Sequence, residues 1–219
     1  TSPAGSGMGS ATTDVIEAIT EGYMDSPNSD YGFGLHILNI SQGTFAENPV
    51  YRAVTYQAAR NHAIMVASSG NVNDDSESFP SSFNDHMVIK VSANDGTGNR
   101  ANNSAYSNRL DFIAPGTSDL NTSLSHDNNS DYNDNHTTGT SIAAAVVSGI
   151  ASLLCSEHNI ENTQSTYPNN LAVEDVEYIL QKTAKDVVTS QSGVGYDNRT
   201  GFGIVNAQEA LLQYTLPEA

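Results

Sequence analysis

Cysteine, tryptophan and positive charge are what this chain of 219 residues has least of. A single cysteine, Cys155, excludes an internal disulfide, and no His/Cys spacing resembles a zinc site. Cys155 closes an apolar run and is expected to be buried, not to act as a nucleophile or ligand. Only 8 Lys+Arg stand against 25 Asp+Glu, for a formal charge of -17. Such a surface repels nucleic acid and anionic membrane, so neither is expected as a partner. The same acidity fits a secreted protein, a salty habitat or a calcium-loaded one. No run is expected to be long enough to cross a bilayer. The first residues, Thr1 to Met8, lack a basic region followed by an apolar core, so no signal peptide is visible.

What is present is enough apolar material, 37% of residues, for one hydrophobic core. Residues 1–12 read as a loop. Asp14 to Glu17 opens a helix with Val15, Ile16 and Ile19 on one face. Gly34 to Ile40 is a largely apolar run, as in a strand covered on both faces. Asn48-Pro49 predicts a capped helix start, with a helix to about Asn61 carrying Val50, Val54 and Ala58 inward. Further strands are expected at Ala63–Ala67, Met87–Val91 and Leu110–Ala114, the last stopped by Pro115-Gly116. Helices follow near Val173 to Lys182 and Ala207 to Gln213, the second capped by Asn206. Gly201 to Val205 reads as a short strand or turn. Strands alternating with helices predict a three-layer α/β domain with a mostly parallel sheet. The stretch from Ser118 to Asn135 reads as a solvated loop. Its Asp119, Asp127, Asp131 and Asp134 also suit a calcium loop, although not of EF-hand spacing.

The sharpest local signal is Thr138-Gly139-Thr140-Ser141-Ile142-Ala143, where a polar stretch turns into a run of small apolar residues ending near Leu154. The switch predicts a loop entering a buried helix, with Ser141 in its first turn. A negative charge developing there would meet unpaired N–H groups and the positive end of the helix. The arrangement suits a serine nucleophile, but taken alone it is more often an ordinary N-cap. Sites in open α/β sheets lie beyond the carboxyl ends of the strands. Small-residue loops leave three predicted strands there: Ser41-Gln42-Gly43, Ser68-Ser69-Gly70-Asn71 and Pro115-Gly116. Asn71 offers a side-chain amide that can donate to an oxyanion without bringing charge.

Taken in order, these segments resemble the C-terminal two-thirds of a subtilisin-like serine protease domain. Ile37 to Gly43 resembles the family's substrate-lining strand, and Val66 to Asn71 its oxyanion-asparagine segment. Asp111 to Gly116 resembles the strand and turn before the nucleophile loop, and Thr138 to Ser141 the nucleophile signature. Gly201 to Ala207 resembles a further family segment. The resemblance implies a partial peptidase domain over 1–219, lacking its N-terminal strands, in a secreted or periplasmic endopeptidase acting on polypeptides through an acyl-enzyme. It implies that Ser141 is the nucleophile, that Asn71 and the Ser141 N–H hold the oxyanion, and that Ser41, Gln42, Gly43, Ser68, Ser69 and Gly70 flank the substrate. It implies structural calcium, with no cofactor needed for the chemistry.

Two departures accompany the likeness. The family's aspartate motif and its histidine-led helix motif do not occur here. His36 lies in a predicted strand, His62 ends a helix, His86 precedes a strand, His126 and His136 fall in the polar stretch, and His158 follows the nucleophile helix. Ala144-Ala145-Val146 stand where the family has a small residue, proline and often histidine, which removes a backbone restraint near the serine. A serine without a general base is a weak nucleophile at neutral pH. Either the aspartate and histidine arrive on a companion N-terminal fragment, or the chain is an inactive homologue that binds peptides or regulates a partner protease.

Overall fold

In the computed structural model the described residues are 8–23, 36–83, 87–117, 119–124, 132–161, 171 and 173–212. Four parallel strands carry the site: β1 (Ile37–Ile40), β2 (Ile64–Ser68), β3 (Val88–Asn94) and β4 (Phe112–Pro115), side by side in that order. Ile37 lies opposite Ile64, Met65 opposite Val88 and Val91 opposite Phe112. β2 and β3 are buried along their whole length, as strands covered on both faces require.

Side chains alternate across a sheet, so each strand feeds two cores. On one face Ile64, Val66, Ile89, Val91 and Ala93 pack with α3 (Thr140–Glu161), α4 (Val173–Thr183) and α5 (Ala207–Leu212). On the other, Met65, Ala67 and Val88 pack with α1 (Met8–Tyr23), α2 (Pro49–Arg60), Phe79 and Phe83. The result is the expected three-layer α/β fold.

α2 shows how the sequence sets its own start. The Asn48 side chain accepts the N–H of Val50 at 2.9 Å and of Tyr51 at 3.3 Å, with Pro49 in the first turn. Its inward face differs from expectation. Tyr51, Thr55 and Ala58 are buried, Val54 partly so, and Val50 is 59% exposed. The bulkier Tyr51 takes the interior place, edge-on to Phe83 at 5.8 Å, and rotates the helix by about one residue.

α3 lies across all four strands. Ala143, Ala144, Val147, Ala151 and Leu154 form its buried face. Ala145, Gly149, Ser152 and Leu153 are open on the other side. Contrary to the expectation of no membrane-length run, α3 is, among the described residues, the one helix long and apolar enough to cross a bilayer. Its place against the sheet makes it the core helix, yet only 44% of that apolar window is buried. Cys155, near its end, is partly buried, and burial pushes its thiol up to about 11.

Other boundaries shift. α1 begins at Met8, within the stretch expected to be loop, and its Val15, Ile16 and Ile19 anchor it to the second core. β4 runs into Pro115 and is not stopped before it. The polar segment contains two antiparallel strands, β5 (Asp119–Leu124) and β6 (Tyr132–Thr137), Asp119 opposite Thr137. Backbone pairing, not apolar alternation, forms this ribbon. Asp119 and Asp134 lie on it; Asp127 and Asp131 lie outside the described residues. Among the described residues no group of three or more His, Cys, Asp or Glu is placed to hold a metal ion.

Candidate active site

The loops leaving β1 and β2 meet the mouth of α3. The carbonyl oxygen of the Asn71 side chain accepts the Thr140 backbone N–H at 2.8 Å and the Thr140 hydroxyl at 3.0 Å. Two donors fix which end of the amide faces the helix, so the NH₂ end is left to donate elsewhere. Gly70 N–H donates to the Thr140 hydroxyl at 3.2 Å, tying the same loop to the helix a second time. Asn71 thus sits one residue from Ser141, although 70 positions separate them in the chain.

Ser141 is half-buried in the first turn of α3. Its hydroxyl donates to the Ser41 carbonyl at 3.1 Å, while the Ser41 hydroxyl donates to the Ser141 carbonyl at 2.9 Å. Asn39 Nδ2 donates to the Ser41 hydroxyl at 2.9 Å. Behind the Ser141 loop, Gly139 N–H donates to the Gly116 carbonyl at 2.8 Å. A Cβ on Gly116 would stand 2.6 Å from Ala93 Cβ and 2.8 Å from the Gly139 carbonyl, so this approach needs glycine. α3 continues unbroken through Ala144, Ala145 and Val146.

The residues expected to flank a substrate divide into two groups. Ser41, Gln42 and Gly43 are exposed. Ser68 and Ser69 are turned into the fold, and the Ser69 hydroxyl donates to the Ala105 carbonyl at 3.3 Å. Gly70 is half-buried, with φ 115. On that side only backbone and Asn71 face outward. Sequence reasoning missed Thr140 as the group that orients Asn71, although it lies inside the motif singled out for Ser141. It also missed Gly116 as more than a turn.

The histidines are elsewhere. His36 and His62 are exposed and lie before β1 and β2, at the strand ends opposite the loops. Four strand residues at about 3.3 Å each separate His36 from Ser41. His158 lies about 25 Å further along α3 than Ser141, at about 1.5 Å rise per residue. His86 and His126 lie outside the described residues, and the backbone of His136 is on β6.

A serine at the mouth of a core helix, with a side-chain amide bonded to the residue before it and the carboxyl ends of a parallel sheet alongside, is an arrangement that suits acyl chemistry. The chain belongs to the subtilase family, whose model matches residues 2–203. It is 27% identical over 203 residues to alkaline elastase YaB of Bacillus sp. (strain YaB), covering 93% of this chain and 46% of that protein. It is 30% identical over 206 residues to halolysin of Haloferax mediterranei, covering 94% of this chain and 33% of the relative. Among solved structures, a protease of Pseudoalteromonas arctica PAMC 21717 shares the fold, with TM-score 0.74 and 24% identity, over 94% of this chain and 58% of that one. The chain therefore spans less than half the length of these two curated relatives.

Proposed function

We propose that this chain carries the nucleophile and oxyanion amide of a serine endopeptidase, and that the general base comes from a segment outside residues 1–219. The observation that carries the reading is the engagement of the Asn71 carbonyl oxygen by Thr140, the residue before Ser141, which leaves the amide NH₂ to donate elsewhere. Ser141 Oγ attacks a peptide carbonyl carbon and passes its proton to the incoming histidine, itself oriented by an aspartate. Asn71 Nδ2 and the Ser141 N–H hold the tetrahedral oxygen. The amine leaves with that proton, and water hydrolyses the acyl-enzyme. An extended polypeptide lies along Ser41–Gly43 and the Ser68–Gly70 backbone.

The surface beside Ser141 supports a missing segment. Among the described residues β1 has a strand partner on one side only. Between it and α1 lies a cavity of about 440 Å³ lined by residues including Val15, Leu38, Asn39, Ser41 and Gln42. The bare face of α3 adjoins this edge through the Ser148 hydroxyl, which donates to Asn39 at 3.0 Å. An apolar helix open on one face is normally covered. The assembly acts outside the cell, as does a relative named extracellular basic protease of Dichelobacter nodosus, 35% identical over 153 residues. It needs no cofactor for the chemistry, and the structural calcium that the family resemblance implies finds no group of three or more His, Cys, Asp or Glu to hold it among the described residues.

A second reading, an inactive homologue that binds peptides, is favoured by the Ser141 proton resting on a carbonyl and not on a base. Fluorophosphonate labelling followed by intact mass separates the two. The chain alone stays unlabelled. The natural polypeptide extended upstream, or this chain mixed with that extension, gains one label that Ser141→Ala abolishes. No label on the extended polypeptide overturns the peptidase reading.

A further inference from the structure

Lys90 is fully buried on β3, 0% exposed. Its ammonium donates to Ser82 Oγ at 2.8 Å and Ser107 Oγ at 3.2 Å. The charged groups facing it are Asp111, Glu77 and Arg109. Asp111 accepts the Lys90 backbone N–H at 2.6 Å, and Arg109 pairs with Glu77 at 2.9 Å. Burying an ammonium is costly, and it persists only where its donors are used. Desolvation pushes Lys90 down to about 8.

Each serine leads to one wall of the cleft. Ser82 Oγ also accepts the Ser78 N–H at 3.1 Å. The Ser78 hydroxyl sits in the space a Cβ on Gly43 would need, 2.1 Å from that position. Next to it, Phe79 and Thr44 exchange two backbone hydrogen bonds, at 2.8 and 3.0 Å. This serine therefore backs the Ser41–Thr44 loop. Ser107 lies two residues from Ala105, whose N–H donates to the Gly70 carbonyl at 2.9 Å. The Ala105 carbonyl accepts the hydroxyls of Ser69 at 3.3 Å and Ser92 at 2.7 Å. This serine backs the Gly70-Asn71 loop.

We infer that Lys90 is a positioning residue of the substrate cleft, its one ammonium cross-bracing from behind the two loops between which an extended peptide lies. The inference rests on the peptidase reading for what the cleft holds, but not for the geometry.

Amide hydrogen exchange on the chain as it exists tests it without any turnover. In Lys90→Met, exchange at Thr44 and Phe79 on one wall and Ala105 on the other accelerates about tenfold or more, while Val66 and Ile89 in the sheet stay within about twofold. Ser82→Ala loosens Thr44 and Phe79 but not Ala105, and Ser107→Ala does the reverse. These two variants decide the matter if Lys90→Met does not fold. Acceleration at neither wall, or spread evenly into the sheet, overturns the brace, as does either serine variant loosening both walls or neither. In an assembly that labels at Ser141, Lys90→Met raises KM several-fold with kcat little changed. Failure to label leaves the exchange result standing, so the two readings fail separately.

Discussion

The two edges of the sheet are finished differently. On the β4 side the chain closes its own edge: Phe202 N–H donates to the Asp111 carbonyl at 2.8 Å, Ile113 N–H to Gly203 at 3.0 Å, and Val205 N–H to Ile113 at 3.1 Å. On the β1 side no further strand lies alongside among the described residues, and the face of α3 beyond it is open. An open edge normally invites another strand. Ser141, the proposed nucleophile, bonds to Ser41 just past the open edge strand. The contrast separates an edge this chain finishes for itself from one that, on the reading proposed above, another segment completes.

The strongest way to break the comparison is to damage the closed edge. A Cβ on Gly201, where φ is +62, would stand 2.2 Å from the Asp111 carbonyl. Gly201→Ala is expected to cost about 3 kcal/mol or more in denaturant melts. A cost below about 1 kcal/mol would show that the closure matters little. At the open edge the sensitive quantity is rate. In the complete assembly, Asn71→Ala lowers turnover about 10²–10³-fold, and an unchanged rate removes Asn71 from the mechanism.

Lys90 gives the comparison a pH axis. Folded, it titrates at about 8, below the 10.5 of a free lysine. Between those values the unfolded chain binds more protons, so stability rises with pH across that window. The stability of wild type minus that of Lys90→Met, from denaturant melts, is flat below pH 8 and climbs toward 10.5. A difference that falls over the same range refutes the assignment. The smallest effect belongs to the bare helix face. Nothing lies within 4 Å of a Cβ on Gly149, so Gly149→Ala in this chain alone is expected to stabilise by about 1 kcal/mol. The same substitution thus has opposite signs on the two sides, and destabilisation at Gly149 would reveal a hidden neighbour.

Much of this was legible in the sequence wherever the signal is local. Gly139-Thr140-Ser141 and Ser69-Gly70-Asn71 each announce a loop leaving or entering a regular element, and the parallel sheet follows from apolar runs such as Ile64–Ala67. What stayed hidden depends on distant neighbours. Lys90 reads as one polar residue in a strand, because Ser82 and Ser107 are brought to it by turns that periodicity does not describe. β5 and β6 escaped because their residues are nearly all polar, and no alternation marks a strand held by its backbone. The inward face of α2 was misjudged by one position because Val50 and Tyr51 are both apolar, and only packing decides which volume fits.

The reciprocal bonds between Ser41 and Ser141 join chain positions 100 residues apart, and neither can form before the sheet has docked on the helix. The Ser141 hydroxyl is therefore placed only when those two elements meet, and it is already occupied. On the peptidase reading proposed above, its chemistry waits on whatever can displace that carbonyl.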